Sequence, residues 1–335
     1  MKSKIANIAY FLPERVLTNE NLNNEFPEWS AEKISEKTGI YERHIAENNI
    51  CSSDLAFESC KKLFDDNLIE PNIIDFILLC TQSPDYFLPT TACLLQERLG
   101  IPKSAGALDF NLGCSGFIYG LGIAKGLIET SQAKNVLLIT AETYSKFIHH
   151  KDKSVRTIFG DASASILISA SETGNIGPFV YGTDGKGAKN LIVKTGGMRH
   201  KRTDESSLDF TDENGNTRNE DSLYMNGGDI FAFTLREIPP VVNKLYELSG
   251  LKEEDISLFI FHQANKFMLD AVRKKLKVPE EKFYICMEHF GNTVSATIPI
   301  ALYNAINDKK ITTGDKLMLV GFGVGYSWGG CIIEI

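Results

Sequence analysis

The sequence of 335 residues lacks the long apolar runs that membrane insertion requires. No stretch approaches 18 uninterrupted apolar residues, and the first residues show neither an apolar core nor a small-residue cleavage site. Positive charge is not in excess either, since the net charge is -8 and the pI is near 5.4, which argues against nucleic acid as a partner. We therefore expect a soluble cytoplasmic protein that binds neither membrane nor nucleic acid.

Paired cysteine motifs are also missing. The 7 cysteines are scattered through apolar segments, with no C-x-x-C pair and no grouping with histidine that would suit a metal ion. This distribution is typical of free thiols in a reducing compartment, so we expect no metal site. With 43% hydrophobic residues, the chain is long enough for two ordinary domains or one large α/β unit.

Apolar runs that suit buried strands alternate with longer helical patterns, which predicts an α/β fold whose sheet is covered on both faces. Three segments recur in the same order. The segment 75–100 resembles 257–277, "DFNLGCSGFIYGLGIAKGLI" resembles "MEHFGNTVSATIPIALYNAI", and "NVLLITAETYS" resembles "KLMLVGFGVGYS". We infer two copies of one α/β unit, spanning 1–172 and 173–335. The charged segment 195–224 is predicted to be an exposed excursion.

Cys114 stands at a predicted junction of strand and helix, in "DFNLGCSGF". Gly113 and Gly116 allow a tight turn there, and the free N–H groups and dipole of a helix N-terminus favour the reactive thiolate. Cysteine is also a common core residue, and taken alone this one is more readily explained by packing.

Two polar residues of the second half are candidates to join Cys114. His262 ends an apolar strand in "FIFHQANKF", which puts its imidazole at the carboxyl edge of the sheet, where open α/β folds bind ligands. His289 competes with it but lies earlier than the matching turn. Asn292 takes the place of Cys114 in the second copy, although Gly-Asn also suits an ordinary turn. If the copies pack about a pseudo-twofold axis, Cys114, His262 and Asn292 converge on one centre.

The stretch "LVGFGVGYSWGG" near the C-terminus is rich in alternating glycines. Such a loop can bring backbone N–H groups close to a reacting atom. A glycine-rich hairpin would explain it equally, and a phosphate-binding loop is disfavoured because no Gly-Lys-Ser follows.

Several short motifs resemble one known family when they are taken together. "TGIYERHIA", "NLGCSGF", "FGDASAS", "HQAN", "FGNTVSAT" and "GVGYSWGG" occur in the order found in the thiolase superfamily, and the chain resembles most closely the β-ketoacyl-[acyl carrier protein] synthase III family. The resemblance runs over essentially the whole chain. It implies a duplicated, five-layered α-β-α-β-α fold, a homodimer, a transferase of fatty acid biosynthesis and lipid metabolism, and no tightly bound cofactor.

The resemblance also implies a role for each candidate residue. Cys114 would accept an acyl group from a coenzyme A or carrier-protein thioester. His262 and Asn292 would bind the thioester carbonyl of a malonyl extender, and the enolate left by loss of carbon dioxide would attack acyl-Cys114. The backbone N–H groups of Cys114 and Val324 would form the oxyanion hole, with Val324 replacing the family's glycine.

Substrate-binding residues are implied in the same way. Leu88 lies in "SPDYFLPTTA", which would close the acyl pocket of the partner subunit. Lysines stand where the family commonly has a tryptophan and arginines that hold the adenine of coenzyme A, so adenine recognition should be weaker or differently built. We expect an acyl donor that arrives on a carrier protein. The implied substrate-binding residues are Phe231, Asn265, Leu88, Lys33, Lys37 and Lys153.

A carrier protein is acidic, so its docking site should be cationic. The stretch "RKKLK" with the lysine before it is the candidate, although a solvated helix face would explain it equally. Phe267 occupies the arginine position that the family has after "HQAN". The implied docking residues are Lys266, Arg273, Lys274 and Lys275.

Three other functions remain open at this stage. Cys114 could pass its acyl group to an alcohol or amine, with His262 as the base. A papain-like hydrolase also uses cysteine, histidine and asparagine, but its C-G-S-C-W signature is absent. The chain could also be a catalytically silent partner subunit.

Overall fold

The computed structural model describes residues 1–335 and contains two mixed β-sheets with helices on both faces of each. The strands are β1 (Lys2–Phe11), β2 (Val16–Thr18), β3 (Glu42–His44), β4 (Phe76–Cys80), β5 (Gly106–Phe110), β6 (Asn135–Glu142), β7 (Ala162–Ser171), β8 (Asn175–Thr183), β9 (Leu191–Ile192), β10 (Phe210–Thr211), β11 (Thr217–Arg218), β12 (Tyr224–Met225), β13 (Leu258–Phe261), β14 (Lys316–Gly323) and β15 (Ser327–Glu334). The α-helices are α1 (Asn19–Glu25), α2 (Ala31–Thr38), α3 (Ser52–Asn67), α4 (Thr91–Arg98), α5 (Gly116–Glu129), α6 (Lys153–Arg156), α7 (Gly227–Ser249), α8 (Lys266–Leu276) and α9 (Thr297–Asn307).

The two large sheets have the same topology. In the first, the strand order is β1-β7-β6-β4-β5, with β4 parallel to its two neighbours and β7 antiparallel to its own. In the second, β8-β15-β14-β13 repeats this order and these directions, and a parallel bridge from Phe259 to Phe283 stands where β5 would be. The predicted duplication is therefore confirmed. The boundary that we place between 172 and 173 falls in the turn between β7 and β8.

Helices and sheets alternate in five layers. Helices α5 and α9 lie between the two sheets and share one apolar core with strands of both. Helices α3 and α4 cover the outer face of the first sheet, and α7 and α8 cover that of the second. No helix is apolar over a length that would cross a membrane.

This layering explains the sequence patterns. Strand β4 reads "FILLC" and α5 reads "GFIYGLGIAKGLIE", and in both the apolar side chains are buried on more than one face. A strand or helix sandwiched between layers needs apolar residues all round, so neither shows the alternation of a half-exposed element. The carboxyl ends of β4, β5 and β13 meet the glycine-rich turns near the middle of the molecule.

The excursion 195–224 is ordered against the first half. Its hairpin of β10 and β11 packs beside α6, where Arg218 Nε lies 3.3 Å from the buried carboxylate of Asp152. Two backbone bonds attach it to the segment 147–151, from Thr217 N–H at 3.3 Å and from Leu223 N–H at 2.7 Å. The ladder of β9 and β12 closes its base.

Candidate active site

A cavity of about 460 Å³ lies where turns of the two halves meet. Cys114 lies between β5 and α5, His262 directly follows β13, and Asn292 precedes α9. All three are buried and all three line the cavity. The structure thus brings the cysteine of the first half together with the histidine and asparagine of the second.

The Cys114 thiol is enclosed by the glycine-rich C-terminal strand. A methyl group added at Gly323 would lie 2.6 Å from Cys114 Sγ, so only glycine allows this approach. Burial raises the pKa of the Cys114 thiol to about 12, while hydrogen bonds from the backbone of Val324 and of Cys114 itself act in the opposite direction. The helix N-terminus expected from the sequence is present, but the effect of burial on the pKa of Cys114 is larger.

The His262 imidazole is fixed by a hydroxyl of the following helix. Its Nδ1 lies 2.7 Å from Thr297 Oγ1, and the same oxygen lies 3.1 Å from the Val294 carbonyl oxygen. When the Thr297 hydroxyl donates to Nδ1, the proton of the neutral ring is on Nε2. Nε2 lies 3.5 Å from Asn292 Nδ2. Burial lowers the pKa of His262 to about 3, so the ring is neutral at physiological pH and carries one N–H to donate.

Asn292 is held by residues of the first half as well as of its own. Its N–H donates to the Ile158 carbonyl at 2.9 Å, and its carbonyl accepts from Gly160 N–H at 3.0 Å. Its Oδ1 accepts from Val294 N–H at 2.9 Å, which leaves the Nδ2 amide free to donate. Val294 has a φ of +57°, a strained value for a β-branched residue.

The rest of the cavity wall is mainly apolar. Phe231 stacks on Phe267 with ring centroids 5.2 Å apart, and Phe267 is 65% exposed, which places this pair at the mouth. Asn265 also lines the cavity, where its side chain accepts from Met268 N–H at 2.8 Å and so caps α8. The other apolar lining residues are Ile158, Phe159, Leu191, Met225, Ile230, Ala264, Met268 and Phe322.

The lysines expected at an adenine site lie outside the cavity. Lys33 and Lys37 place their ammonium groups 5.0 and 4.8 Å from the centre of the Trp29 ring. Lys153 is buried, and its Nζ donates to Glu28 Oε1 at 2.8 Å. Lys153 is thereby neutralised by a carboxylate and does not reach the cavity.

Trp29 was missed by sequence reasoning, although a signal was available. Trp29 precedes α2, and Lys33 and Lys37 are four residues apart and so share one side of that helix, the side that faces the Trp29 ring. A tryptophan therefore does stand in the region where the family has one, displaced by four positions along the chain.

Two other expected residues also lie away from the cavity. Leu88 is 82% exposed, beside Phe87 at 81%, so neither helps to enclose the site within one chain. His289, the competing histidine, is exposed and its Nδ1 lies 3.1 Å from Glu42 Oε1.

Of the residues expected to dock a carrier protein, three are exposed and one is held in ion pairs. Lys266, Lys274 and Lys275 are exposed on α8. Arg273 is instead held within the chain, with its guanidinium 3.4 Å from Glu280 and 3.9 Å from Asp270. The lysines therefore provide the free positive charge of this helix.

A carboxylate, Glu142, lies buried next to the site and was also missed. It is inaccessible to solvent, and burial raises its pKa to about 8. No pattern in the sequence distinguishes it, because it ends the apolar strand β6 like any residue at a sheet edge. Thr297, the first residue of α9, was missed because no pattern marks it either.

The arrangement can perform nucleophilic chemistry on a thioester. A thiol, a neutral imidazole and a carboxamide face one apolar cavity whose mouth is bordered by two stacked phenylalanines. The backbone N–H groups near Cys114 can bind an oxyanion, and the imidazole and carboxamide can bind a carbonyl oxygen.

Comparison with known proteins gives one consistent family. The family model described as 3-Oxoacyl-[acyl-carrier-protein (ACP)] synthase III matches residues 108–185, and the model of its C terminal matches 246–335. The chain is 37% identical over 332 residues to β-ketoacyl-[acyl-carrier-protein] synthase III of Caldanaerobacter subterraneus subsp. tengcongensis, covering 98% of this chain and 97% of that protein. Identity to the enzyme of the same name from Clostridium perfringens is also 37%, covering 99% of each chain.

Solved structures agree with these relatives. A crystal structure of 3-oxoacyl-(acyl-carrier-protein) synthase III superposes with a TM-score of 0.99 at 52% identity, covering 100% of both chains. The β-ketoacyl-[acyl carrier protein] synthase III of Thermus thermophilus superposes with a TM-score of 0.87 at 34% identity, covering 99% of both.

Proposed function

The chain belongs to the β-ketoacyl-[acyl-carrier-protein] synthase III family, and from that membership we propose that it joins an acyl group held on Cys114 to a malonyl thioester with loss of carbon dioxide. It is a condensing enzyme of the transferase class. Family membership favours this reaction over acyl transfer to an alcohol or amine, over hydrolysis and over a silent subunit. The meeting of Cys114, His262 and Asn292 in one apolar cavity is the observation that carries the proposed roles.

In the first step, Cys114 takes the acyl group. The sulfur attacks the carbonyl carbon of the donor thioester, and the tetrahedral oxyanion is bound by the backbone N–H groups of Cys114 and Val324. The donor thiolate leaves and is protonated, so the proton of Cys114 departs with it. Each oxyanion donor is worth about 3 kcal/mol of barrier.

In the second step, the malonyl thioester replaces the donor thiol. Its carbonyl oxygen accepts from His262 and from Asn292 Nδ2, and the enolate formed as carbon dioxide leaves is stabilised there. The enolate carbon attacks the acyl carbonyl, the Cys114 thiolate is expelled and reprotonated, and a 3-oxoacyl thioester is released.

Intact mass measurement tests both steps. Incubation with a panel of acyl-coenzyme A and acyl-carrier donors should add one acyl group, and the Cys114→Ala variant should add none. Subsequent malonyl-carrier should give a product with a new carbon–carbon bond, and His262→Ala should keep the acylation but lose the condensation. Acyl transfer without any carbon dioxide release would contradict the proposal.

We propose further that a carrier protein delivers the acyl donor. Lys153 is paired with Glu28, and Lys33 and Lys37 lie over Trp29, so none of these three lysines is free to hold an adenine. The exposed lysines of α8, beside the mouth at Phe267, would instead attract an acidic carrier.

Charge reversal tests the docking surface. The double variant K274E/K275E should raise the KM for malonyl-carrier several-fold while leaving kcat unchanged, since the residues lie away from the reacting atoms. The matched control is K2E/K4E. Lys2 and Lys4 lie on β1, an edge strand of the first sheet, whereas α8 covers the second sheet. An equal KM for wild type and K274E/K275E would remove this surface from the docking proposal.

We propose, finally, that two chains complete the site. Strand β5 is the outermost strand of its sheet, and Leu108 on it is 42% exposed. Phe87 and Leu88 extend from the same half of the molecule into solvent. Pairing of two β5 edges would cover these apolar side chains, and Leu88 of one chain would close the acyl pocket of the other.

A further inference from the structure

The buried carboxylate of Glu142 has no role in the steps above, yet it contacts both sides of the site. Ser295 Oγ donates to its Oε1 at 2.8 Å. Its Oε2 accepts from Gln82 N–H at 3.1 Å and from Ser83 Oγ at 3.2 Å. Ser295 belongs to the second half and the other two to the first, so one carboxylate joins the two copies.

The ionised form of a carboxyl group in this position is costly. Glu142 is inaccessible to solvent, and no lysine, arginine or histidine nitrogen lies within 4.0 Å of it. Burial of an acidic group without a counter-ion is unfavourable unless hydrogen bonds compensate. Three hydrogen bonds compensate here, from Ser295, Gln82 and Ser83. We take the formation of these bonds to be the role of Glu142.

Ser295 lies in the short turn that fixes both partners of Cys114. The turn spans Val294–Ala296. Its Val294 N–H orients Asn292, and its Val294 carbonyl lies 3.1 Å from the hydroxyl of Thr297, the residue that holds His262. A displacement of this turn would therefore move the carboxamide and the imidazole together.

On its other side, Glu142 holds the turn that supports the cysteine. Its bond to Gln82 N–H fixes the backbone from which the Gln82 side chain extends toward Gly113. A methyl group at Gly113 would lie 2.5 Å from Gln82 Oε1, so this side chain packs directly against the residue before Cys114. Glu142 thus connects the two walls of the site through its own hydrogen bonds.

From these contacts we infer that Glu142, acting through Ser295, is a positioning residue that aligns Asn292 and His262 with the acyl group on Cys114. The inference rests on the proposed condensation. It assigns to the Glu142–Ser295 bond an effect on the second step, in which the carbonyl of the extender must be bound, and none on acylation of Cys114.

The test measures acylation of Cys114 and condensation separately, in variants of Ser295 and of Glu142. Ser295→Ala removes the bond between Glu142 and the turn that holds Asn292. We expect kcat for condensation to fall about tenfold, because even a small shift of Asn292 and His262 misaligns the reacting groups. The KM for malonyl-carrier and the rate of acyl-Cys114 formation should not change. Ser169→Ala is the matched control, since the Ser169 hydroxyl donates to Asn135 at the far end of β6.

Two substitutions of Glu142 complete the series. Glu142→Gln keeps an acceptor for Gln82 N–H and can donate to Ser295 Oγ, so it should retain condensation, whereas Glu142→Leu should lose at least as much as Ser295→Ala. Combining Glu142→Leu with Ser295→Ala should add no loss of condensation beyond that of Glu142→Leu alone, because the leucine has already removed the Glu142–Ser295 bond.

The outcomes distinguish this inference from the proposed function. If the wild-type protein forms no 3-oxoacyl product, the proposed function itself is wrong. If wild type condenses and Ser295→Ala condenses equally fast, the positioning role is wrong. If Glu142→Leu does not fold, Ser295→Ala still decides the question.

Discussion

At the scale of single residues, burial of Cys114 opposes the ionisation that its place at a helix N-terminus favours. The helix N-terminus after Cys114 suggests a thiolate, but enclosure by the Gly323 strand and the apolar cavity raises the pKa of the thiol to about 12. A neutral thiol is protected from oxidation and alkylation until a donor thioester fills the cavity. Reactivity then depends on the bound substrate.

We therefore expect alkylation of Cys114 to have a steep pH dependence. Because only the thiolate reacts and its pKa is raised, the iodoacetamide rate should climb about tenfold per pH unit from pH 7 to 10 without a plateau. Peptide mass spectrometry of quenched time points would measure this rate, with the exposed Cys93 as the internal control. A plateau below pH 8 would show a stabilised thiolate instead.

Glu142 should make stability depend on pH in a direction unusual for a carboxylate. Burial raises its folded pKa to about 8 from the usual 4.5, so between these values the folded chain keeps a proton that the unfolded chain has lost. Stability from this group is present at acid pH and is lost as pH rises through the folded pKa. The Tm advantage of Glu142→Gln over wild type should therefore grow from pH 5 to pH 8 in thermal scans. A Tm difference between Glu142→Gln and wild type that stays constant from pH 5 to pH 8 would contradict the raised pKa of Glu142.

At the scale of elements, the close contact of β14 with the turn before α5 sets the position of the nucleophile. Gly323→Ala puts a methyl group where Cys114 Sγ lies, so we expect acyl-Cys114 formation to slow by at least about tenfold while the fold is kept. Stopped acylation reactions analysed by intact mass would measure this.

The matched control for that variant is Gly126→Ala in α5. No atom lies within 4 Å of the added methyl group, so acylation should be unchanged and the free energy of unfolding should rise by about 1 kcal/mol. Equal acylation by Gly323→Ala and Gly126→Ala would mean that the contact at Gly323 does not position the thiol.

The elements that sequence reasoning predicted best are those with strong apolar patterns. The strand ending at His262 and the helix after Cys114 appear within a few residues of their expected limits, and the repeated order of segments predicted the repeated sheets. The cavity could not be predicted in the same way. Lys153 owes its environment to a bond to Glu28, a residue distant in sequence, and neither pattern nor spacing reveals such a pairing.

At the scale of the whole molecule, the exposed edge of β5 predicts self-association. Leu108→Glu places a charge on that edge, and it should convert a dimer to a monomer in sedimentation velocity and lower condensation activity, because Leu88 would no longer reach the partner's pocket. Leu68→Glu is the control, since Leu68 is 92% exposed after α3, on the outer helical layer. A wild type that sediments as a monomer would contradict the proposed dimer.

The two hydrogen bonds between Asn292 and the segment 158–160 limit how the molecule can move. They are made by the backbone at both the N–H and the C=O of the residue, so a hinge that parted the halves would break them and displace the carboxamide. We expect turnover without clamshell opening. Each substrate must then thread its acyl or malonyl end past Phe231 and Phe267, and the width of that fixed entrance selects slender arms over bulky head groups.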